Sequence, residues 1–259
     1  MRLFVFTLLL TATLSAQEFT KAIEDNSFFI EEAYNQEQRV VQHITNASFL
    51  NNTNSLFDAY DLSFTQEWPA GGRTHQLSYT VPYSIVGTPG TSGIGDVMLN
   101  YRFQMVDSPA RAFAPRVSVI LPTGDKQRGL GSEVFGIQTN LPYSERISNT
   151  FVTHVNIGGT YSPDGIEVGS STEDYSDIFV GGSAILLLSY RLNVMMEILY
   201  INSGSSDRRT DEMIVSPGMR FAIDIGGVQI VPGLAFPYSS STHETTKGMF
   251  LYISTEHSF

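Results

Sequence analysis

The chain has 259 residues, 42% hydrophobic, 12% aromatic and 16% charged, with no Cys and a formal net charge of −11. That length suffices for one large domain or two small ones, and the apolar content excludes a disordered chain. The acidic balance excludes a general nucleic-acid binder, and the lack of Cys excludes a disulfide-stapled fold or a thiolate metal site.

Met1-Arg2, the apolar run Leu3 to Leu10 and the small-residue end Thr13-Leu14-Ser15-Ala16 have the order of a secretory signal peptide, with cleavage expected after Ala16. The apolar run is far short of the roughly 20 residues that a spanning helix requires. Residues 17–37 then precede the first periodic segment. Its part from Phe28 to Glu37 is too short for a domain, so it is read either as a periplasmic tail or as a small plug, with Phe28, Phe29, Glu31, Glu32 and Tyr34 as the plug residues.

From residue 38 to 259 the dominant period is 2, the signature of strands with two unlike faces. After a first strand near Val40 to Phe49, apolar Tyr60, Leu62, Phe64 and Trp68 oppose Asp61, Ser63, Thr65 and Glu67. Leu77, Tyr79, Val81, Tyr83 and Ile85 oppose Gln76, Ser78, Thr80 and Ser84, and Val97, Leu99, Tyr101 and Phe103 oppose Asp96, Asn100 and Arg102. The alternation continues around Val117, Ile137 and Ile157, and then through Val180–Tyr190, Leu192–Tyr200, Met213–Ile223, Val228–Phe236 and Met249–Phe259. Twelve strands are predicted. The run from Ile178 to Leu188 is apolar on both parities, but Gly181-Gly182 favours a strand over a helix.

Connections are predicted to alternate between short ones and long polar ones, the latter including Gly87–Gly93, Pro122–Ser132, Ser162–Ser176, Asn202–Asp211 and Tyr238–Lys247. Long loops on one rim and tight turns on the other, with an even strand number, define an all-β fold: a transmembrane antiparallel up-and-down β-barrel of about 12 strands in the outer membrane of a Gram-negative bacterium. Aromatics at strand ends, Trp68, Phe103, Phe113, Tyr143, Phe151 and Tyr190 near short turns and Tyr83, Tyr161, Tyr200 and Phe236 near long loops, predict two girdles at the lipid boundaries. A soluble exported sandwich is the competing reading of the same alternation. The terminal Phe259 matches the ending that barrel-assembly machinery recognises, so that machinery and outer-membrane lipid are expected partners.

Gly93-Ile94-Gly95-Asp96-Val97-Met98-Leu99-Asn100-Tyr101-Arg102, then Ala114-Pro115-Arg116-Val117-Ser118-Val119-Ile120-Leu121-Pro122-Thr123-Gly124-Asp125, resemble a known family. So do Gly129-Leu130-Gly131, Leu141-Pro142, His154-Val155-Asn156-Ile157-Gly158 and Ile30-Glu31-Glu32-Ala33-Tyr34-Asn35-Gln36-Glu37. These residues are similar to the phenol-degradation (meta-pathway) outer-membrane transporter family, over most of the chain beyond the leader. The resemblance implies an outer-membrane barrel and, beyond that, passage of hydrophobic or aromatic small molecules. It supplies no list of transport residues.

The polar parity carries Asp61, Glu67, Asp96, Arg102, Arg116, His154, Glu197 and Arg220, predicted as lumen-lining. Asp96, Arg102 and Arg116 are read either as a constriction that selects solutes or as an ion-pair network that fills a narrow lumen, and Glu197 with Arg220 likewise. Asp125 is expected to bond locally in a turn. No His pair has metalloprotease spacing, so no metal, cofactor or catalytic residue is assigned. His154 with a nearby hydroxyl leaves a lipid-modifying enzyme as a third reading, behind a passive channel for small molecules and a closed barrel that acts through its outer loops.

Overall fold

A strand with one apolar and one polar face needs a partner on each edge and a different solvent on each side. Closing the sheet into a ring meets both demands. The computed structural model describes residues 27–52, 59–86, 90–168, 171–242 and 244–258. The expected signal peptide, residues 17–26 and Phe259 lie outside the described residues.

The ring has twelve antiparallel strands, each paired to its sequence neighbours. They are β1 (Val40–Asn52), β2 (Ala59–Pro69), β3 (His75–Val86), β4 (Thr91–Ile94 and Met98–Phe103), β5 (Arg111–Phe113 and Arg116–Ile120) and β6 (Gly136–Asn140 and Tyr143–Ser148). β7 (Phe151–Val168), β8 (Ser171–Leu187), β9 (Leu192–Gly204), β10 (Arg209–Phe221 and Ile223–Ile225), β11 (Val228–Ala235 and Tyr238–Ser241) and β12 (Thr245–Ser258) follow. β1 pairs with β12 from Val40↔Ser258 to Asn52↔Thr246, which closes the ring.

Proline splits several strands, because it has no N–H to give the ladder. The breaks at Ala114-Pro115, Leu141-Pro142 and Phe236-Pro237 are of this kind. Register survives them: Asn140↔Gly158 resumes as Tyr143↔Val155, and Ala235↔Gly218 as Tyr238↔Val215.

Two expectations are corrected. Ser162–Ser176, Asn202–Asp211 and Tyr238–Lys247 are not long loops but mostly paired strand. At ~3.3 Å per residue, the 18 residues of β7 far outreach an apolar band about 25 Å tall, even when tilted. Beyond the lipid both faces meet water, so polar residues extend the hairpin. Tyr190 also leaves the expected girdle: it sits in the β8–β9 turn, where strand parity no longer sets direction, and packs on the interior cluster.

Outside, Leu99, Val117, Ile137, Ile157, Ile178, Val180, Met196, Ile198, Leu251 and Ile253 stand 39–63% exposed around the ring. A soluble monomer rarely shows an apolar surface of that extent, whereas lipid is its natural solvent. Inside, the wall is mixed. Ile44, Val152, Ile185, Leu187, Met195, Ala222, Val231, Ala235, Phe250 and Tyr252 form a buried apolar cluster around Phe28. This explains the two-parity apolar run: Leu186 and Leu188 face out while Ile185 and Leu187 face in.

Candidate functional site

The first described residues run inside the ring. Ser27–Glu37 crosses the lumen near the short-turn rim, and Arg39, with φ 65, and the Val40 N–H donated to Glu37 O turn the chain into β1. An extended segment away from any sheet edge must find partners for its N–H groups, and here side chains of the wall supply them. Phe29 N and Ile30 N donate to Glu197 Oε1 at 2.9 and 3.1 Å, and Glu31 N to Asn156 Oδ1 at 2.8 Å. Ala33 N donates to Ser144 Oγ at 2.8 Å, Asn35 N to Gln104 Oε1 at 2.6 Å and Gln36 N to Gln76 Oε1 at 2.7 Å.

The carbonyls are received in the same way. Arg102 donates from Nη1 to Glu32 O at 3.2 Å and from Nη2 to Tyr34 O at 2.6 Å, while Gln104 Nε2 reaches Ala33 O at 2.6 Å. Asn156 Nδ2 donates to Glu31 O at 2.8 Å. Side chains of the segment join in: Tyr34 donates to Ser108 O at 3.2 Å, Gln36 to Gln42 Oε1 at 2.6 Å, and Asn35 donates to Arg73 O and Thr74 O at 3.0 and 3.2 Å and accepts from Arg102 Nε at 2.9 Å.

Two anchors are shaped by glycine. A Cβ on Gly181 would stand 2.6 Å from Ile30 Cδ1 and one on Gly233 2.8 Å from the Phe28 ring, while one on Gly218 would overlap that ring. Phe28 meets Phe250 and Tyr252 edge-on at 5.7 and 6.1 Å, and Phe29 lies 5.1 Å from Phe250.

Arg116 forks onto Glu31, with Nη2 to Oε1 at 2.7 Å and Nε to Oε2 at 3.1 Å. Partial burial works against ionisation of Glu31, which belongs to no spanning strand, yet the charge and hydrogen bonds of Arg116, with Arg102 behind it, hold its carboxyl below the usual carboxylate range. Beside this pair lies a cavity of about 260 Å³. Phe28, Phe29, Ile44, Met98 and Tyr252 line it, interleaved with Asn46, Thr65, Glu67, Asn100, Arg116 and Gln138.

The remaining expected lumen residues divide. Glu67 accepts from Gln76 Nε2 at 2.9 Å, and Arg220 is buried with its stem beside the Phe28 seat. Asp61 stands higher and exposed, accepting from Ser84 Oγ. Asp96 is not grouped with Arg102 and Arg116: it sits in the break of β4 and accepts from Gly124 N, Ser132 N and Ser132 Oγ at 2.9, 2.8 and 2.8 Å. The strand interruption takes Asp96 off the parity of Arg102 and turns it onto the loop 121–135. There Asp125 accepts from Arg128 N at 3.2 Å, capping a short 3-10 turn. His154 is completely buried, and its Nδ1 lies 2.8 Å from Ser144 Oγ, which holds Ala33. A lipid ester has no approach to that pair.

Sequence reasoning passed over Gln76, Gln104, Ser144 and Asn156, the neutral residues that hold the segment. Their one available signal was polar parity, which they share with every wet wall residue.

No family model and no curated protein matches this chain. Among solved structures it is similar to the COG4313 outer membrane channel from Pseudomonas putida F1, with a TM-score of 0.67, 12% identity, and coverage of 89% of this chain and 97% of that one. It also resembles the NanC porin, at TM-score 0.53 and 4% identity over 84% of this chain and 100% of that one. The β domain of the Bordetella autotransporter BrkA gives TM-score 0.53 and 11% identity over 88% and 100%. At such identities the likeness is one of fold: a closed twelve-stranded antiparallel barrel of the outer-membrane, porin-like type.

Proposed function

We propose that this chain is a channel of a Gram-negative outer membrane for passive uptake of small hydrophobic or aromatic molecules, exported after cleavage at Ala16 and received by the barrel-assembly machinery through Phe259. The observation that carries the reading is the 260 Å³ cavity beside Ser27–Glu31, which sets Phe28, Phe29 and Tyr252 among polar wall residues. Ser27–Glu37 crosses the lower lumen and narrows the path of a hydrated ion. A molecule with an aromatic face gains on entering from its contact with Phe28, Phe29 and Tyr252, on the order of 1.5–3 kcal/mol for a ring-sized group. The Arg116–Glu31 fork, with Arg102 gripping the neighbouring carbonyls, is the latch, and the concentration gradient supplies the drive.

The test is single-channel recording in a planar bilayer with the Arg102→Ala, Arg116→Ala double variant alongside, together with uptake of a phenyl-bearing solute into proteoliposomes. Brief or small openings in the native protein, steady openings of altered ion selectivity in the variant, and protein-dependent uptake are expected. Silence in both proteins with no uptake would favour a closed barrel that acts through its outer loops, a reading supported by the extent of the packing around Phe28.

A further inference from the structure

We propose that His43 and His257 form a two-imidazole site for a divalent transition-metal ion across the seam where β1 closes on β12. His43 lies opposite Thr255 in the register, so His257 is its diagonal neighbour on the same outer face. The strands bring the two rings to a centroid distance of 5.4 Å and the two Nε2 atoms to 3.3 Å. Nitrogens bound to one tetrahedral ion at ~2.0–2.1 Å stand about 3.3 Å apart, so the pair already has the spacing of cis ligands.

Orientation supports the same assignment. His257 Nδ1 lies 3.2 Å from Ser258 O, and donating its N–H there leaves the lone pair on Nε2, as a backbone carbonyl does for many metal-bound imidazoles. His43 is steadied on its other side by Phe64, stacked at 6.0 Å. Without an ion, the His43 Nε2–H donates to His257 Nε2; with one, that proton is displaced and His43 carries its hydrogen on Nδ1. The site is one residue from the end of β12, at the short-turn rim, and His257 also lines a cavity of about 270 Å³ with Asp224, Gln229 and Glu256, where Asp224 pairs with Arg191 at 3.7 Å. Among the described residues no cluster of three or more metal-ligating side chains exists, so water completes the sphere. Imidazole donors with open positions suit Cu²⁺, Zn²⁺ and Ni²⁺ rather than Ca²⁺ or Mg²⁺.

The untagged protein, folded in detergent, is titrated with Cu²⁺ and examined by electron paramagnetic resonance. Two equatorial imidazole nitrogens are expected. Affinity should fall at least tenfold in His43→Gln and in His257→Gln and stay unchanged in His75→Gln. Zn²⁺ should raise the temperature at which the native protein loses its folded gel mobility, and should do so in neither seam variant. A single bound nitrogen in the native protein, or equal affinity in either seam variant, would overturn the proposal. The nitrogen count needs no variant to fold.

Discussion

Arg116 of β5 holds both carboxylate oxygens of Glu31, at 2.7 and 3.1 Å, and so ties the wall of the barrel to the strip of chain that fills it. Its Nη1 donates to Asn100 Oδ1 and Ser118 Oγ, and Nη2 also donates to Gln138 Oε1. The guanidinium is thus fixed by the wall before it meets Glu31, and little ordering is left to the moment of contact.

Removing that hand should free the segment while sparing the barrel. Arg116→Ala takes the ion-pair partner from the Glu31 carboxylate and leaves it Asn140 and the more distant Arg102; the lost charged hydrogen bonds cost about 1.5–3 kcal/mol each before allowing for the partial exposure of Glu31. Limited proteolysis should cut the variant between Ser27 and Glu37 faster than the native protein, while heat-modifiable gel mobility persists. Equal protection in both would sink the latch.

Acid should act in the same direction. Since the carboxyl of Glu31 is held below its unfolded range, the Arg116 contact contributes stability above the unfolded carboxylate pKa of about 4.3, and that contribution is lost as pH falls through the folded value. Open probability in a bilayer should therefore rise on acidification below pH 4. Glu31→Gln should abolish the acid response.

The seat of Phe28 gives a test of fit. Gly218→Ala puts a methyl into the Phe28 ring, an overpacking that costs about 1–3 kcal/mol. Combined with Phe28→Ala the clash disappears, so the double variant should lose less stability against guanidinium than the two single losses together. Additive losses would mean that the ring does not occupy this notch.

Glu197 separates charge from hydrogen bonding. Its Oε1 accepts two backbone N–H groups, a role that Gln can keep and Ala cannot. Glu197→Ala should leave Phe29 N and Ile30 N unpaired, at roughly 1–3 kcal/mol apiece, and expose Phe28 to proteases; Glu197→Gln should stay near native.

The lipid belt is open to a direct challenge at Ile157, which is 51% exposed on the outer face of β7. It lies six residues above the base of the strand, about 14 Å up a tilted wall, where Arg in lipid costs ~2–4 kcal/mol. Folding yield of Ile157→Arg into lipid vesicles should drop clearly, whereas the same change on a soluble sandwich would pass unnoticed.

The barrel was legible because lipid outside and polar groups inside impose a period of 2 wherever the wall crosses the membrane. Ser162–Ser176 escaped because above the bilayer both faces of β7 and β8 are wet and the period fades, although the ladder continues. Asp96 was misplaced because parity counts through Gly95 as if the strand were unbroken. The grip on the segment was hidden for another reason: Gln76, Gln104 and Asn156 act on backbone groups, which have no residue identity for a pattern to match.

That last feature sets what substitution can reach. Since the wall mainly grips main-chain amides and carbonyls, a seat of this kind would accept varied peptides that keep a Phe and an Ile at its two glycine notches, an acid opposite Arg116 and an Asn at position 35, whose side chain bonds Arg73 O, Thr74 O and Arg102 Nε. Drift along those eleven residues can retune the colour of the passage, its charge, width and wetness, while the staves of the barrel stay as they are.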